Sequence, residues 1–387
     1  MQAYNRLTEL RDRLLNLFVQ KEQEVTAALA TLLSGEPCIF VGPPGTAKTM
    51  MIETLAKSIS ASYFYYLLTR FTEPDEIIGP LDISKLREGV YERIIKNKLP
   101  DSDIVFLDEI FKASSAIRNI LLDIILNKRF YTGSEYRPIK LMAFYCASNE
   151  ISTDSEDQAI YDRMVIRCFT RYISDDAIPD LLQTGIKFEI NREITPVLDK
   201  QDLMNFQKEV MSRLESINNN QKLMNKYLEA IMELKMNNIV ISDRRKVKIL
   251  KVIAALSIIY NELEPTLDTL ADSLRLTCVH EEGDVRRVEQ IIQKLQLSSY
   301  YSHINKILTL RAELQNRLEE MKRTGNYSIE NLRILSALYK RTYFEVSSMP
   351  KNPRLAPYLR DLLNVMHEAK ELIRKKKADI FGGDEEL

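Results

Sequence analysis

Three short apolar runs in the first half of the chain each end in polar residues. They cover 38–41, 104–107 and 141–146, and the last is followed by Ser148 and Asn149. Apolar runs of this length, separated by helical patterns, are typical of strands buried on both faces of a parallel sheet. Since ligands bind beyond the carboxyl ends of such strands, the pattern predicts an α/β fold with a ligand site at that edge.

The remaining pattern is helical. Residues 1–33 have helical periodicity that ends at Ser34-Gly35-Glu36-Pro37, and strand signals nearly vanish after about Ile190. Beyond Leu295, apolar residues recur every seven positions, which indicates a helical hairpin or short bundle. We therefore predict three parts. They are an α/β core at 1–193, a helical lid at 194–294 and a C-terminal helical segment at 295–387.

Composition and charge narrow the possible classes of protein. Lys and Arg total 54 against 55 for Asp and Glu, so the net charge of -1 gives no global electrostatic reason to expect nucleic acid as a partner. No apolar stretch approaches the roughly 20 residues that span a bilayer, and the N-terminus lacks a signal-peptide core. We expect a cytoplasmic protein with no membrane span. The four cysteines form no CxxC pair and are expected to be reduced, buried thiols.

The turn after the first predicted strand has the residues of a phosphate-binding loop. Its glycines let the backbone amides face phosphate oxygens, and the following helix presents its positive end to the same anion. We expect the lysine to contact the outer phosphates and the last threonine to coordinate Mg²⁺. The nucleotide-binding residues are predicted to be Gly42, Pro43, Pro44, Gly45, Thr46, Ala47, Lys48, Thr49 and Met50.

One residue departs from the usual loop, which has glycine directly before the lysine. Ala47 occupies that position here. Alanine is tolerated there if its φ is negative, as at a helix entrance, and we expect that conformation.

Two carboxylates end the second predicted strand. A buried strand end is a costly place for Asp108 and Glu109 unless a cation or hydrogen-bond donors meet them. Mg²⁺ held by Thr49, Asp108 and a nucleotide would satisfy that need, and Glu109 would orient the attacking water. Asn149, after the third strand, is expected either to bond the γ-phosphate or the water, or to be a turn residue.

These segments together resemble a known family. GPPGTAKT, FLDEI, Ser148-Asn149, Asp162-Arg163-Met164 and Ser242-Asp243-Arg244-Arg245 look like MoxR-type AAA+ ATPases, and most like their RavA branch. The segment at 70–80, RFTEPDEIIGP, strengthens the resemblance. It covers about 8–290, whereas the last hundred residues share only helical character.

The resemblance implies a role for each matching residue. Lys48 and Thr49 would be Walker A, Asp108 and Glu109 Walker B, and Asn149 sensor 1. It also implies an arginine finger that reaches the neighbouring subunit's nucleotide and a sensor 2 arginine on the lid. The finger is Arg163, and sensor 2 is Arg244 or, as a close alternative, Arg245. The family usually has proline where this chain has Asp243, so the choice between the two arginines stays open.

The resemblance further implies an insert within 71–98, folded as a small hairpin at the ring pore with its second half at 91–95. The aromatic run at 63–66 is interpreted as a buried second strand. No Ser-His-Asp or Cys-His arrangement is visible, and the three histidines lie in segments with helical patterns: His280, His303 and His367.

The predicted function is ATP-dependent remodelling of protein clients by a ring of, by resemblance, six subunits. Hydrolysis is expected to move the lid against the core, because the sensor 2 arginine belongs to one and the phosphate loop to the other. A von Willebrand factor A (vWA) domain protein is the partner implied by the resemblance, with the segment after Leu295 as its docking place. The alternatives are a nucleic-acid-stimulated motor of the same fold, such as a helicase or restriction-type translocase, and a non-catalytic nucleotide-binding scaffold.

Overall fold

The structure is a computed structural model that describes residues 2–132 and 134–381. The chain divides into two compact units, Met1–Leu297 and Ser298–Leu387. The division of the first unit into core and lid at 193/194 stays a prediction. No helix in the described ranges is long and apolar enough to cross a membrane.

The first unit contains a parallel sheet. Its strands are β1 (Cys38–Val41), β2 (Tyr63–Leu67), β3 (Ile104–Asp108), β6 (Ala143–Ser148) and β7 (Ile166–Phe169), with a separate two-stranded hairpin of β4 (Arg129–Tyr131) and β5 (Tyr136–Pro138). The order in the sheet is β2-β3-β6-β1-β7, and every pairing is parallel. The predicted α/β class is therefore confirmed.

Both faces of the sheet are buried, and in the described part of the chain eight helices precede or alternate with its strands or follow β7. They are α1 (Gln2–Leu17), α2 (Glu22–Ser34), α3 (Lys48–Ser58), α4 (Pro74–Ile78), α5 (Ile83–Arg87), α6 (Ser115–Asn127), α7 (Ser155–Arg163) and α8 (Ile178–Ile190). Successive residues of β1 alternate between two hydrophobic clusters, with Phe40 in one and Ile39 in the other. This alternation is the period of two expected of a strand buried on both faces.

Five helices complete the first unit. They are α9 (Lys200–Asn219), α10 (Gln221–Met236), α11 (Asp243–Ile259), α12 (Leu267–Thr277) and α13 (Asp284–Lys294). The central one is α11, which packs on α2, α9 and α12 and has a nearly continuous run of buried apolar residues from Val252 to Ile259. A helix buried on most of its surface links its neighbours into one core.

The second unit is a bundle of α14 (Tyr301–Thr324), α15 (Ile329–Ser347) and α16 (Ala356–Phe381). The seven-residue repeat of Ile307, Leu314 and Met321 is buried in its core, against Leu335 of α15 and Leu362 of α16. In the described residues, the second unit is therefore a short helical bundle.

Two sequence expectations about local structure were wrong. The run at 63–66 does form β2, but β2 is an edge strand of the sheet, and of its residues only Phe64 is buried. The insert at 71–98 is not a regular hairpin. It consists of α4, α5 and a single antiparallel bridge between Leu81 and Arg93, because Glu73 and Asp82 each cap a short helix there.

Candidate active site

The carboxyl ends of three neighbouring strands lie side by side at one end of the sheet. β6 lies between β3 and β1, with Val41 paired to Ser148 and Leu107 paired to Cys146. The phosphate loop, the two carboxylates and Asn149 directly follow these strands. The parallel register thus brings together the first four groups of the predicted site: loop, lysine, acids and amide.

The loop after β1 is shaped by close backbone packing. Gly42 has φ +149, and a Cβ there would come within 2.2 Å of the Thr170 carbonyl oxygen, so no side chain fits. Gly45 has φ +77 and open space around it. Thr46 Oγ1 donates to Pro43 O at 3.0 Å, and Tyr172 Oη donates to Pro44 O at 3.1 Å. The loop is therefore held in a curled form by its own contacts.

Lys48 begins α3 and turns back over this loop. Its Nζ donates to Gly42 O at 2.8 Å and to Pro43 O at 2.9 Å. Burial lowers the pKa of Lys48, while the charges of Asp108 and Glu109 act in the opposite direction. Thr49 and Met50 follow in the first helical turn, and both are half-buried. The ammonium is thus placed between the loop and the acidic strand end.

The expectation for the backbone of Ala47 was wrong. Its φ is +63, in the left-handed region, instead of negative. The loop has to reverse direction immediately before α3, and the glycine usual at this position adopts that conformation without strain. Alanine here costs about 1–2 kcal/mol relative to a right-handed conformation, and the surrounding contacts hold it.

The acidic pair lies beside Asn149. Asn149 Nδ2 donates to Glu109 Oε1 at 2.6 Å, and Lys112 Nζ lies 3.2 Å from the same oxygen. Asp108 Oδ1 accepts from the Glu109 amide at 3.0 Å. Burial raises the pKa of Asp108, the Glu109 amide bond lowers it, and the Glu109 charge raises it further. Glu109 itself has φ +56, a strained backbone of the kind found at functional sites.

Arg163 and Arg244 lie together near the amino end of β1, at the opposite end of the strand from the phosphate loop. Both line a small cleft that also includes Glu36 and Pro37, which directly precede β1. The length of β1, about 13 Å at 3.3 Å per residue, separates Pro37 from the phosphate loop. Burial first, and then the neighbouring Arg244 cation, lower the pKa of Arg163. The structure brings the two arginines to each other and does not bring them to Lys48 of the same chain.

The two candidates for the sensor 2 arginine differ in exposure. Arg244 is exposed at the start of α11, whereas Arg245 is fully buried and donates from Nη2 to the carbonyl of Thr277. A buried guanidinium bonded to a backbone carbonyl cannot reach a ligand without unfolding its surroundings. Of the two, only Arg244 is available to a nucleotide.

Sequence reasoning missed a buried cluster next to these arginines. Arg167 of β7 is 1% exposed and contacts Tyr161 and His280. The available signal was a charged residue in the middle of the apolar run at 166–169. His280 follows the end of α12 and is not part of a helix, contrary to expectation. The β4–β5 hairpin was also missed, because its strands are only three residues long.

Comparisons with known proteins identify the family of the chain. A family model described as the MoxR domain in the MoxR-vWA-beta-propeller ternary systems matches residues 5–208. Two uncharacterised proteins of Methanocaldococcus jannaschii are similar. One is 28% identical, covering 97% of this chain and 93% of the relative, and the other is 30% identical, covering 84% of each.

A solved structure from Cytophaga hutchinsonii, described as a "putative ATPase", shares the fold with a TM-score of 0.61. It is 16% identical, and the match covers 76% of this chain and 94% of that one. With a family model matched over more than half of its length, the chain belongs to the MoxR family of AAA+ ATPases.

Proposed function

We propose that the protein hydrolyses ATP to ADP and phosphate and uses the reaction to remodel protein clients. The observation that carries the proposal is the meeting of Lys48, Asp108, Glu109 and Asn149 at the carboxyl ends of adjacent strands. Phosphoryl transfer needs mainly positioning and charge stabilisation, and these four groups supply both.

Each group has a distinct task in this proposal. The loop amides and the first turn of α3 bind the phosphates, and Lys48 leaves its carbonyl partners to neutralise charge on the outer ones. Glu109 orients and polarises the attacking water. Asn149 fixes the Glu109 carboxylate through the 2.6 Å bond and lies close enough to share that water.

The residues present also fit a magnesium ion. Thr49 would supply a hydroxyl and Asp108 a carboxylate oxygen, which are ligands that Mg²⁺ accepts when phosphates complete its shell. Asp108 is a half-buried carboxylate whose pKa is raised by burial, so a cation beside it would offset the cost of its charge. When bound, the ion would supply Lewis-acid stabilisation of the charge that develops during phosphoryl transfer.

The position of the arginines supports action between subunits. Arg163 and Arg244 are separated from their own phosphate loop by the length of β1, so in this proposal they serve the nucleotide of a neighbouring copy. A head-to-tail contact of this kind joins two different surfaces, and it closes into a ring when the rotation permits. We propose a homo-oligomeric ring and take six subunits from the family resemblance.

The partner is proposed from the family description. The matching model belongs to systems that combine MoxR with vWA and beta-propeller components, and we propose a vWA protein as a partner of this chain as well. The α14–α16 bundle is the proposed docking unit. We also propose the RavA branch, from the sequence motifs, and a cytoplasmic location. The comparisons give no support to the nucleic-acid-stimulated motor.

One assay with three variants tests the proposal. Glu109→Gln should bind ATP normally but turn over at least about 100-fold more slowly, the scale of a lost general base, and Lys48→Ala should lose most nucleotide affinity. Glu53→Gln, on the exposed side of α3, is the control and should behave as wild type. Wild-type protein without ATPase activity in the presence of Mg²⁺ would refute the proposed function.

The docking hypothesis has its own experiment. Glu109→Gln, arrested with ATP, should co-purify with a vWA protein from native extract. The same variant shortened to end at Leu297 should not. Equal recovery of the vWA protein by both forms would refute docking on the bundle.

A further inference from the structure

Arg167 caps the C-terminal end of α7, the helix that carries Arg163. Its Nε donates to Met164 O at 3.1 Å, and its Nη2 donates to Tyr161 O at 2.8 Å. These carbonyls belong to the last turn of α7 and the residue after it. Tyr161 O also accepts from the Met164 amide at 3.1 Å, whereas Met164 O lies beyond the hydrogen bonds of the helix itself. A guanidinium at this position satisfies two acceptors and also complements the negative end of the helix dipole.

The same guanidinium connects α7 to the segment after α12. Its carbon lies 3.9 Å from the centre of the Tyr161 ring, and Tyr161 Oη donates to His280 O at 2.7 Å. Arg167 Nη1 also bonds His280 Nδ1. An arginine can only donate, so this ring nitrogen accepts and His280 is neutral, with its proton on Nε2.

A second connection joins that segment to Arg244. The neighbouring Arg245 donates to Thr277 O, three residues before His280. The segment 277–280 is therefore bonded to Tyr161 of α7 through His280 and to the start of α11 through Thr277. Through it, the elements carrying Arg163 and Arg244 are fixed relative to each other.

The cluster is energetically expensive. Burial, followed by the charge of Arg245, lowers the pKa of Arg167 to about 9. No carboxylate forms an ion pair with either buried guanidinium in the part of the chain that the structure describes. An apolar residue of similar volume would avoid this cost. The bonds of Arg167 to the end of α7 are a specific gain that such a residue could not provide.

We propose that Arg167 is a positioning residue for ATP hydrolysis: it holds the end of α7 so that Arg163 points at the neighbouring subunit's nucleotide. The inference rests on the proposed function and adds to it a residue that contacts no substrate. A loss of Arg167 then leaves the subunit able to bind ATP and impairs the catalytic site of its neighbour.

Mixed rings distinguish this role from a general contribution to folding. Arg167→Lys keeps the cation but cannot span both carbonyls, and kcat should fall about 10- to 100-fold with KM within about twofold. Glu109→Gln subunits cannot hydrolyse but carry an intact Arg163. When the two are mixed, Arg167→Lys sites receive an intact arginine, and turnover should rise severalfold above the sum of the separate proteins.

Two further variants keep the test decisive. Tyr161→Phe keeps the ring and removes the hydroxyl that donates to His280 O. We expect kcat to fall about 2- to 10-fold, the scale of a hydrogen bond, with the same recovery on mixing. Arg11→Lys is the control, since Arg11 is also buried and bonded to a carbonyl, that of Ile259, and should retain wild-type kcat.

Three results would overturn the inference. In the first, Arg167→Lys and Tyr161→Phe both retain wild-type kcat. In the second, both lose turnover and do not recover it when mixed with Glu109→Gln, although Arg163→Ala mixed with Glu109→Gln does. If Arg163→Ala also fails to recover with Glu109→Gln, the action between subunits is refuted together with the positioning role. A wild-type protein that lacks ATPase activity is a separate result, because it refutes the proposed function itself.

Discussion

Asn149 and Glu109 are joined by a hydrogen bond of 2.6 Å from the amide Nδ2 to the carboxylate Oε1. Lys112 Nζ lies 3.2 Å from the same oxygen. Among the described residues, both contacts of this carboxylate use Oε1, which leaves Oε2 for the attacking water in the proposed mechanism. The carboxylate is oriented by its partners before any substrate binds, which is the arrangement that a positioned base requires.

Asn149→Ala removes this orientation without removing the base. We expect turnover to fall about 10- to 100-fold, because a misplaced base loses most of its contribution, while ATP affinity stays within about twofold. Steady-state kinetics and nucleotide titration measure the two quantities. Lys57→Gln is the control, since its side chain is 56% exposed and its pair with Glu53 on α3 contributes little. A loss of ATP affinity equal to the loss of turnover would contradict this assignment.

Ala47→Gly should stabilise the protein. The residue has φ +63, where alanine is strained and glycine is not, so we expect a gain of about 0.5–1 kcal/mol in the free energy of unfolding. Thermal unfolding of the nucleotide-free protein measures it.

The matched control for that variant is Ala56→Gly. Ala56 is buried inside the same helix, α3, where glycine costs about 0.5–1 kcal/mol. The two substitutions are chemically identical, and their effects should have opposite signs. Destabilisation by both would show that the left-handed conformation of Ala47 carries no strain.

The set of residues at the carboxyl ends of the strands was predictable, because each of them directly follows its own strand in the sequence. Each strand is a short apolar run, and the polar residue that follows it reaches the site through strand direction alone. Parallel register then makes Gly42, Asp108 and Asn149 neighbours without any further information. The conformation of Ala47 escaped prediction because it depends on how the loop closes against Thr170.

The arginine cluster was not predictable from the same kind of pattern. The position of Arg163 relative to Arg244 depends on contacts between elements about eighty residues apart, such as the 3.3 Å bond from Ser242 Oγ to Asp162 Oδ2. Nothing in the local sequence states that Arg245 points inward while Arg244 points outward. Helical geometry separates consecutive side chains by about 100°, but only the packing of α11 decides which one is buried.

That difference between Arg244 and Arg245 gives two opposite expectations. Arg244→Ala should abolish most turnover and leave the melting temperature unchanged, because the side chain is exposed. Arg245→Ala should lower the free energy of unfolding by about 2 kcal/mol or more, because it empties a fully buried volume. ATPase assays and thermal unfolding of both variants provide the test. Normal turnover in Arg244→Ala would remove it from the site.

The finger itself should show a larger kinetic effect. Arg163→Ala is expected to lower turnover about 10³- to 10⁵-fold, the scale of arginine fingers in phosphoryl transfer, with nucleotide binding largely intact. Arg192→Ala is a suitable control, since Arg192 is an exposed arginine that pairs with Glu189. A fully active Arg163→Ala protein would eliminate the assignment.

His280 makes stability depend on pH. Burial, and then the cations of Arg167 and Arg245, lower its pKa from 6.5 to about 3. Between those values the unfolded chain binds a proton that the folded chain does not, so stability is highest above pH 6.5 and falls as the pH decreases towards 3. The expected loss at pH 5 is about 1–2 kcal/mol.

His280→Gln should remove that contribution, since glutamine can still accept the bond from Arg167 but does not titrate. Lowering the pH from 7.5 to 5.0 should therefore decrease the melting temperature of wild type more than that of the variant. His367→Gln, at an exposed histidine of α16, should track wild type at both pH values. Parallel losses in wild type and His280→Gln would mean that the imidazole is protonated in the folded protein, and the bond from Arg167 to Nδ1 could not then exist.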